Sequence, residues 1–586
     1  MHVLATAGHV DHGRSTLVRA LTGMEPDRWA QERERGMTID LGFAWTTLPS
    51  GSVVQFVDVP GHKRFIGNML AGLGPAPAVL LVVAADEGWR AQTAEHLAAV
   101  DAMRVQHGLV VVTRSDLADP VHATREALDR IAGTSIGGPD AEVVAVSGAT
   151  GQNLDLLTEA LQRLVDRLPA ADAAAPVRLW LDRAFTMRGS GVVVTGTLAA
   201  GTLRVGDELE VRGRRVRVRG LQNRGVPCEA VGPVSRVAVN LRGAGLSDMR
   251  RGDALVTPQA WWQAERLDVR LNRGLGAQPN EMVLHVGTAA VPVRLRRLGD
   301  DTARLTLARA LPLRAGDRAL LRDPGSHLAV GAVVLDADPP PLARRGAGAA
   351  RASALRGLSG LPELATEVAR RGAVRARTLA ALGVPLDMTP SVLLVDDWYV
   401  AEGTWRGWQQ GLRQAVDKHV ARAPLEAGLS HVAAGRALGV PDVRLVVPLV
   451  EAAGLETVSG RIRRPGAAPS LGPAESSLRR VELQLQDKPF GPPDIPELRS
   501  MGLLPQHLAA AATAGRVLRL PDDVLLLPDG PARAMAVLAR LPQPFTASQA
   551  RAALGTTRRV VIPLLEHLDE RRWTRRVDSH LREVVR

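Results

Sequence analysis

Gly8-His9-Val10-Asp11-His12-Gly13-Arg14-Ser15-Thr16 follows an apolar run and opens a helical pattern. The spacing is that of a phosphate-binding loop: two glycines with four residues between them, then a basic residue, then a hydroxyl, with Arg14 where lysine is usual. Glycines let backbone N–H groups close around phosphate oxygens, and the helix N-terminus adds partial positive charge. A serine at position 15 supplies the hard oxygen that Mg²⁺ prefers. Four further segments extend this chemistry. Asp58-Val59-Pro60-Gly61-His62 ends a strand-like run, where a carboxylate holds Mg²⁺ through water and the Gly61 N–H senses a terminal phosphate. Between the two lies Arg35-Gly36-Met37-Thr38-Ile39-Asp40, whose Thr38 hydroxyl can complete a metal shell. Thr113-Arg114-Ser115-Asp116 places a carboxylate to accept two N–H donors from guanine, and Ser147-Gly148-Ala149 offers backbone to the base carbonyl. Each segment alone is ordinary loop sequence; all five in order, each beside a strand, make a nucleotide site.

The elements that must position them are legible. Apolar runs at Val3–Ala7, Val53–Val57, Val79–Ala84, Leu109–Thr113 and Val143–Val146 alternate with helical patterns at Ser15–Thr22, Ala91–Ala102, Val121–Ile131 and Leu154–Leu168. That alternation predicts a parallel sheet covered on both faces over residues 1–168. From residue 177 short β-rich runs broken by Gly and Pro predict two barrels, 177–258 and 262–341. Pro339-Pro340-Pro341 and the Arg/Gly/Ala stretch Arg344–Ala350 read as a linker. Beyond it, units of about 60 residues pair helices with a short β ending, which is the winged-helix pattern. The expected boundaries are 350–410, 411–470, 471–530 and 531–586. The fold class is therefore multidomain: an α/β P-loop GTPase domain, two β-barrel domains and tandem winged-helix domains.

With 586 residues, 46% hydrophobic and 23% charged, the chain excludes a disordered or fibrous protein. No apolar stretch is long enough to span a membrane, and the single cysteine, Cys228, forms no intramolecular disulfide; a cytoplasmic setting is expected. Cys228 reads as a small buried side chain. The net charge of +12 is uneven: residues 342–586 hold 34 Arg+Lys against 24 Asp+Glu, and the first 341 hold 39 against 37. A basic rear half fits an anionic polymer, with a scattered solvated surface as the bland alternative.

On GHVDHG, RGMTIDLGF and DVPGHKRFIGNMLAG, residues 1–168 resemble the translational GTPases, the family of elongation factor Tu, and within it the selenocysteine-specific factors of SelB type. Leu179–Gly201, Met282–Thr288 and Leu311–Leu335 resemble that family's second and third domains, and Phe545–Val585 its terminal RNA-binding winged helix. The resemblance implies GTP/GDP and Mg²⁺ as cofactors. Ser15, Thr38 and Asp58 would serve the metal, Asp116 the guanine, and His62 the attacking water. It implies an aminoacyl pocket at Asp182, Arg183 and, less directly, Arg236. A selenol ionises below a thiol, so a cationic pocket favours selenocysteine over serine. Arg551, Arg558 and Arg559 match RNA-facing positions, with Arg575, Arg576 and His580 around the wing. The implied partners are selenocysteyl-tRNA, an mRNA stem-loop after a UGA codon and the ribosome, with a monomeric chain and no membrane. Trp398, Trp405 and Trp408 read as core. Arg14 and Arg114 depart from the family's lysines, and a planar fork is not an ammonium. Another translational GTPase, or a hydrolysis-impaired, nucleotide-gated RNA-binding adaptor, are the alternative readings.

Overall fold

The structure, a computed structural model, describes residues 1–26, 40–60, 66–74, 76–187, 191–243, 245–273, 280–323, 325, 329–423, 428–466 and 472–585. It divides into two units, Met1–Val392 with Asp397–Tyr399, and Leu393–Asp396 with Val400–Arg586.

The apolar runs of the first domain form β1 (His2–Gly8), β2 (Gly42–Thr47), β3 (Val53–Asp58), β4 (Ala78–Ala84), β5 (His107–Thr113) and β6 (Glu142–Ala145). Among the described residues they make one sheet in the order β2-β3-β1-β4-β5-β6, parallel except for the antiparallel edge strand β2. Helices α1 (Arg14–Thr22), α2 (Ile66–Leu73), α3 (Ala91–Ala102), α4 (Val121–Ile131) and α5 (Leu154–Asp166) cover it. Period-two alternation sorts β4 between two cores. Leu80 and Val82 meet Leu17, Phe56, Leu157 and Leu161 on one face, while Val79, Leu81 and Val83 meet Leu97, Val100 and Ile131 on the other. Helix α5 buries Leu157, Ala160, Leu161, Leu164 and Val165, the stripe of a helix lying on a sheet. The α/β class follows from this layering. Strand β2 is not among the expected runs: its Phe43 and Trp45 are half-buried, the residues beside them are the small Gly42 and Ala44, and two threonines end it, a weak signal for an edge strand.

Residues 178–256 form the first barrel. Glu208–Val211 pairs with both Arg214–Asn223 and Ala254–Val256, which closes the ring. Strands within 263–336 form a second closed barrel. The three domains meet where Gly287, at φ +52°, lies against the Trp180 ring and faces Gly74; a Cβ at Gly287 would stand 2.4 Å from the indole. The proline-rich linker is pinned. Arg304 donates to Asp268 and to the Pro340 carbonyl (2.6 Å), and Arg351, on the helix Ala347–Leu355, bridges Asp268 and Asp336. A buried ion-pair network of this kind opposes local opening, because separating either partner strands a charge.

In the second unit, Glu402–Arg422 is one unbroken 21-residue helix. It crosses the boundary expected between residues 410 and 411, and a hydrogen-bonded helix interior is not a linker. The boundary expected at 530/531 falls at the start of the helix Gly530–Leu538, and a common core runs across it. Phe490, Leu520, Val524 and Leu526 share one core with Ala534, Phe545, Val561, Leu564 and Leu568, so the last two units are one folding body. Its end runs through Ala547–Ala553, Arg558–Glu570 and a three-stranded sheet of Phe545–Thr546, Leu581–Val584 and Thr574–Arg576. Among the described residues no helix is long and apolar enough to cross a membrane. Trp398 and Trp405 are buried and Trp408 half-buried against Trp405.

Candidate functional site

The loop between β1 and α1 is held from both sides. Gly8 N–H donates to His96 Nδ1 (3.0 Å) and Val10 N–H to Gln92 Oε1 (3.1 Å), both from α3. His12 is fully buried, with Nδ1 3.4 Å from the Val82 carbonyl. Burial, reinforced by His9, pulls its pKa down to about 4, so the imidazole is a neutral packing group and contributes no cation to the cradle. Gly13, at φ +72°, turns the chain into α1.

Ser15 Oγ donates to Asp58 Oδ2 (2.8 Å), and Thr6 Oγ1 donates to Asp58 Oδ1 (2.5 Å). Serine hydroxyl and aspartate are thus adjacent hard-oxygen donors at the mouth of the loop, a donor set that suits Mg²⁺. Arg14 is buried, and its Nη1 donates to the Val59 carbonyl (2.6 Å). The guanidinium therefore ties the phosphate loop to the backbone just after Asp58. Thr38, Gly61 and His62 lie outside the described residues.

On the base side, Thr113 Oγ1 donates to the His12 carbonyl (2.7 Å), which makes this threonine a tie between β5 and the phosphate loop. Arg114, at φ +56°, sends its guanidinium to Asp86 (3.0 Å), Glu87 (3.1 Å) and the Asp11 carbonyl. Asp116 stands exposed in the following turn, and its carboxylate has no partner among the described residues. Ser147 is buried and accepts from Thr150 N–H (3.1 Å), Gly148 faces Thr16 and Leu17, and Ala149 is exposed. Ser115 N–H donates to the Val146 carbonyl, which joins the two base-side loops. Loop 8–16, Asp58, 113–116 and 147–149 thus gather at the carboxyl ends of β1, β3, β5 and β6, the edge where open parallel sheets bind ligands.

A second cluster lies between the first domain and the first barrel. A cavity of about 230 Å³ is lined by Phe43 and Trp45 of β2, and by Arg183, Gln222, Arg224 and Arg236 of the barrel. Asp182, almost fully buried, takes a bidentate pair from Arg236 (2.5 and 3.0 Å) and a hydrogen bond from Thr195 Oγ1 (2.6 Å). The Arg236 guanidinium sits 3.3 Å from the Phe43 ring centroid, and Arg183 sits 5.4 Å from it. Neighbours in sequence, Asp182 and Arg183 do not pair. Arg183 instead forms an ion pair with Asp40 (3.0 Å) and donates to the Leu41 carbonyl (2.7 Å), both of the first domain. Sequence reasoning finds the barrel's half of this pocket and misses Asp40, Phe43 and Gln55, whose Oε1 accepts from Arg236 N–H. For the first two the signal lies inside TIDLGF, a segment whose motif points to phosphate and metal. Among the described residues no histidine lines the cavity, and Cys228, half-buried, packs against the barrel core.

In the tail, Arg551 and Arg558 are exposed and make no ion pair among the described residues. Arg575 pairs with Glu583, Arg576 lies 3.5 Å from Glu566 and from Asp569, and His580 is exposed on the wing turn. Arg559 differs from its expected role as an RNA-facing side chain. It is half-buried and donates to the Pro492 and Pro493 carbonyls (3.0 and 3.1 Å), which join the last two units.

Comparison with known proteins agrees with this architecture. The family model for the elongation factor Tu GTP-binding domain matches residues 1–167, elongation factor Tu domain 2 matches 191–256, and the winged helix of elongation factor SelB matches 536–580. A translation initiation factor 2 subunit gamma from Halobacterium salinarum is 31% identical over 383 residues, covering 53% of this chain and 91% of that one. The chain belongs to the translational GTPase superfamily. Within it the likeness is to selenocysteine-specific elongation factors of SelB type. The factor from Desulfomicrobium baculatum is 37% identical over 341 residues, 55% of this chain and 53% of that protein, so the match spans about half of that relative's length. A crystal structure of a bacterial selenocysteine-specific elongation factor, EF-Sec, superposes with a TM-score of 0.74 at 25% identity, covering all of both chains.

Proposed function

We propose that this GTPase delivers selenocysteyl-tRNA to ribosomes paused at a UGA codon marked by an mRNA stem-loop, acting in the cytoplasm as a monomer. The observation that carries the reading is the cavity where Arg183 and Arg236 converge beside Phe43, on the same unit as the nucleotide loop. A selenolate entering it adds an anion beside two guanidinium groups packed near the Phe43 ring, whereas a serine hydroxyl adds no charge to their existing pairs with Asp182 and Asp40.

At the nucleotide site, the backbone of residues 8–16 wraps the phosphates, and Asp116 accepts two N–H donors from guanine. Ser147, Gly148 and Ala149 present backbone to the base carbonyl, while Thr113 and Arg114 brace the loop behind it. Ser15, Thr38 and, through water, Asp58 would hold Mg²⁺, which neutralises charge on the terminal phosphates. His62 orients the attacking water. The adjacency of Ser15 and Asp58 supports this assignment. Arg551 and Arg558 grip the stem-loop backbone, with Arg575, Arg576 and His580 at the wing.

Purified protein with GTP should bind selenocysteyl-tRNA at least about tenfold more tightly than seryl-tRNA of the same tRNA body, one charge contact being worth about 1.4 kcal/mol or more. Equal affinities would discard the pocket. Combined Arg551→Ala and Arg558→Ala should weaken a cognate stem-loop more than the paired wing change Arg575→Ala, because the latter cation is already neutralised by Glu583.

Arg14 bears on the rival adaptor reading. Its bond to Val59 shows a guanidinium accommodated in the loop, so the natural chain should hydrolyse GTP in single turnover on ribosomes. Arg14→Lys should change that rate by less than about tenfold, the loss of one hydrogen bond. A silent natural chain whose hydrolysis is restored by Arg14→Lys would establish the adaptor instead.

A further inference from the structure

Arg183 and Arg236 line the same cavity, yet their counter-ions come from different domains. Arg236 is neutralised within the barrel by Asp182. Arg183 is met from the other side by Asp40, which immediately precedes the segment leading into β2. Asp40 also lies 3.4 Å from Arg251 of the barrel, so one carboxylate of the GTPase domain faces two barrel arginines. Arg183 and Asp40 are each largely shielded from solvent, with side-chain exposures of 19% and 26%. An ion pair in that setting is screened less than one on an open surface.

We propose that Asp40 is a specificity-determining positioning residue: it acts through Arg183 as the counter-ion with which an anionic aminoacyl side chain must compete for the pocket. The inference rests on the proposed selenocysteyl-tRNA reading and deepens it, making the GTPase domain a determinant of pocket charge. Arg183 Nη2 contacts both Asp40 Oδ2 and the Leu41 carbonyl. Removing the Asp40 charge therefore leaves the guanidinium held in place by the carbonyl while stripping it of its neutralising partner. A neutral side chain gains nothing from this change; an anion gains an unopposed cation.

The test uses the full chain with GTP and measures affinity for selenocysteyl-tRNA and seryl-tRNA on one tRNA body. Asp40→Asn should raise affinity for selenocysteyl-tRNA about three- to tenfold and leave seryl-tRNA unchanged, the scale of one partly screened charge pair. Asp40→Glu, which restores the carboxylate, should return the affinity toward that of the natural chain. In an Arg183→Ala background Asp40→Asn should have no effect. A gain in affinity restricted to the anionic ester is a result that a merely structural role for Asp40 does not produce. Unchanged or lowered affinity for selenocysteyl-tRNA in Asp40→Asn, with the natural chain still discriminating, overturns this inference and leaves the functional reading intact. Equal binding of the two aminoacyl-tRNAs by the natural chain overturns both.

Discussion

Asp116→Asn should raise the dissociation constant for GTP by about 10²–10⁴, since two charge-assisted hydrogen bonds to guanine N–H groups are worth about 1.5–3 kcal/mol each. The asparagine amide also turns a donor toward a base edge that itself donates. Xanthine carries a carbonyl where guanine carries its amino group, so the variant should prefer the xanthine nucleotide. Misfolding does not account for such a loss. Asp116 is exposed in a turn, and its carboxylate has no partner among the described residues. Competition titration of a fluorescent GTP analogue against GTP and XTP reads both effects. A GTP constant within about threefold of the natural value, less than one such bond is worth, would show that residue 116 does not face the base.

Gly8→Ala should abolish nucleotide binding by a different route. Gly8 has φ +136°, and a Cβ there would stand 2.3 Å from the Val82 carbonyl oxygen. The positive-φ backbone costs an alanine about 1–3 kcal/mol. The clash adds to it, because Val82 belongs to β4, whose seven residues are all fully buried and cannot retreat. Parting β1 from β4 would move the phosphate loop that β1 carries. Gly13→Ala is the matched control. It has φ +72°, but its nearest contact would be Thr113 Oγ1 at 3.9 Å, so it meets strain without collision. Thermal unfolding followed by circular dichroism should show Gly8→Ala far below Gly13→Ala, and titration with fluorescent GDP should show binding by Gly13→Ala but not by Gly8→Ala. Equal transitions would mean that the close approach of the two strands does not constrain the loop.

Much of the first domain is legible in the sequence because its signals are local. Helices Ala91–Ala102 and Val121–Ile131 follow from apolar spacing, and the parallel strands from unbroken Val/Leu runs. Edge strand β2 escapes because one of its faces is half-solvated, which dilutes periodicity. One tail boundary, at 410/411, differs from expectation because it falls inside a helix, and the core shared across 530/531 is hidden for a related reason. A β pair such as Leu518–Leu526 looks the same in sequence whether its apolar face covers its own helices or, as here, a core shared with the next unit. Arg559 shows the same limit at one residue: its place at a helix start is legible, its bond to Pro492 and Pro493 is not.

The sequence by itself determined the chemistry of the nucleotide loop, because a glycine-spaced turn between strand and helix uses residues that are neighbours along the chain. It also determined the order of domains and the basic character of the tail. Tertiary structure alone decided which charges neutralise which. Asp182 turns from its neighbour Arg183 to Arg236, 54 positions away, and Arg183 finds Asp40 in another domain. Coulomb attraction depends on distance and shielding in space, and neither is set by position along the chain.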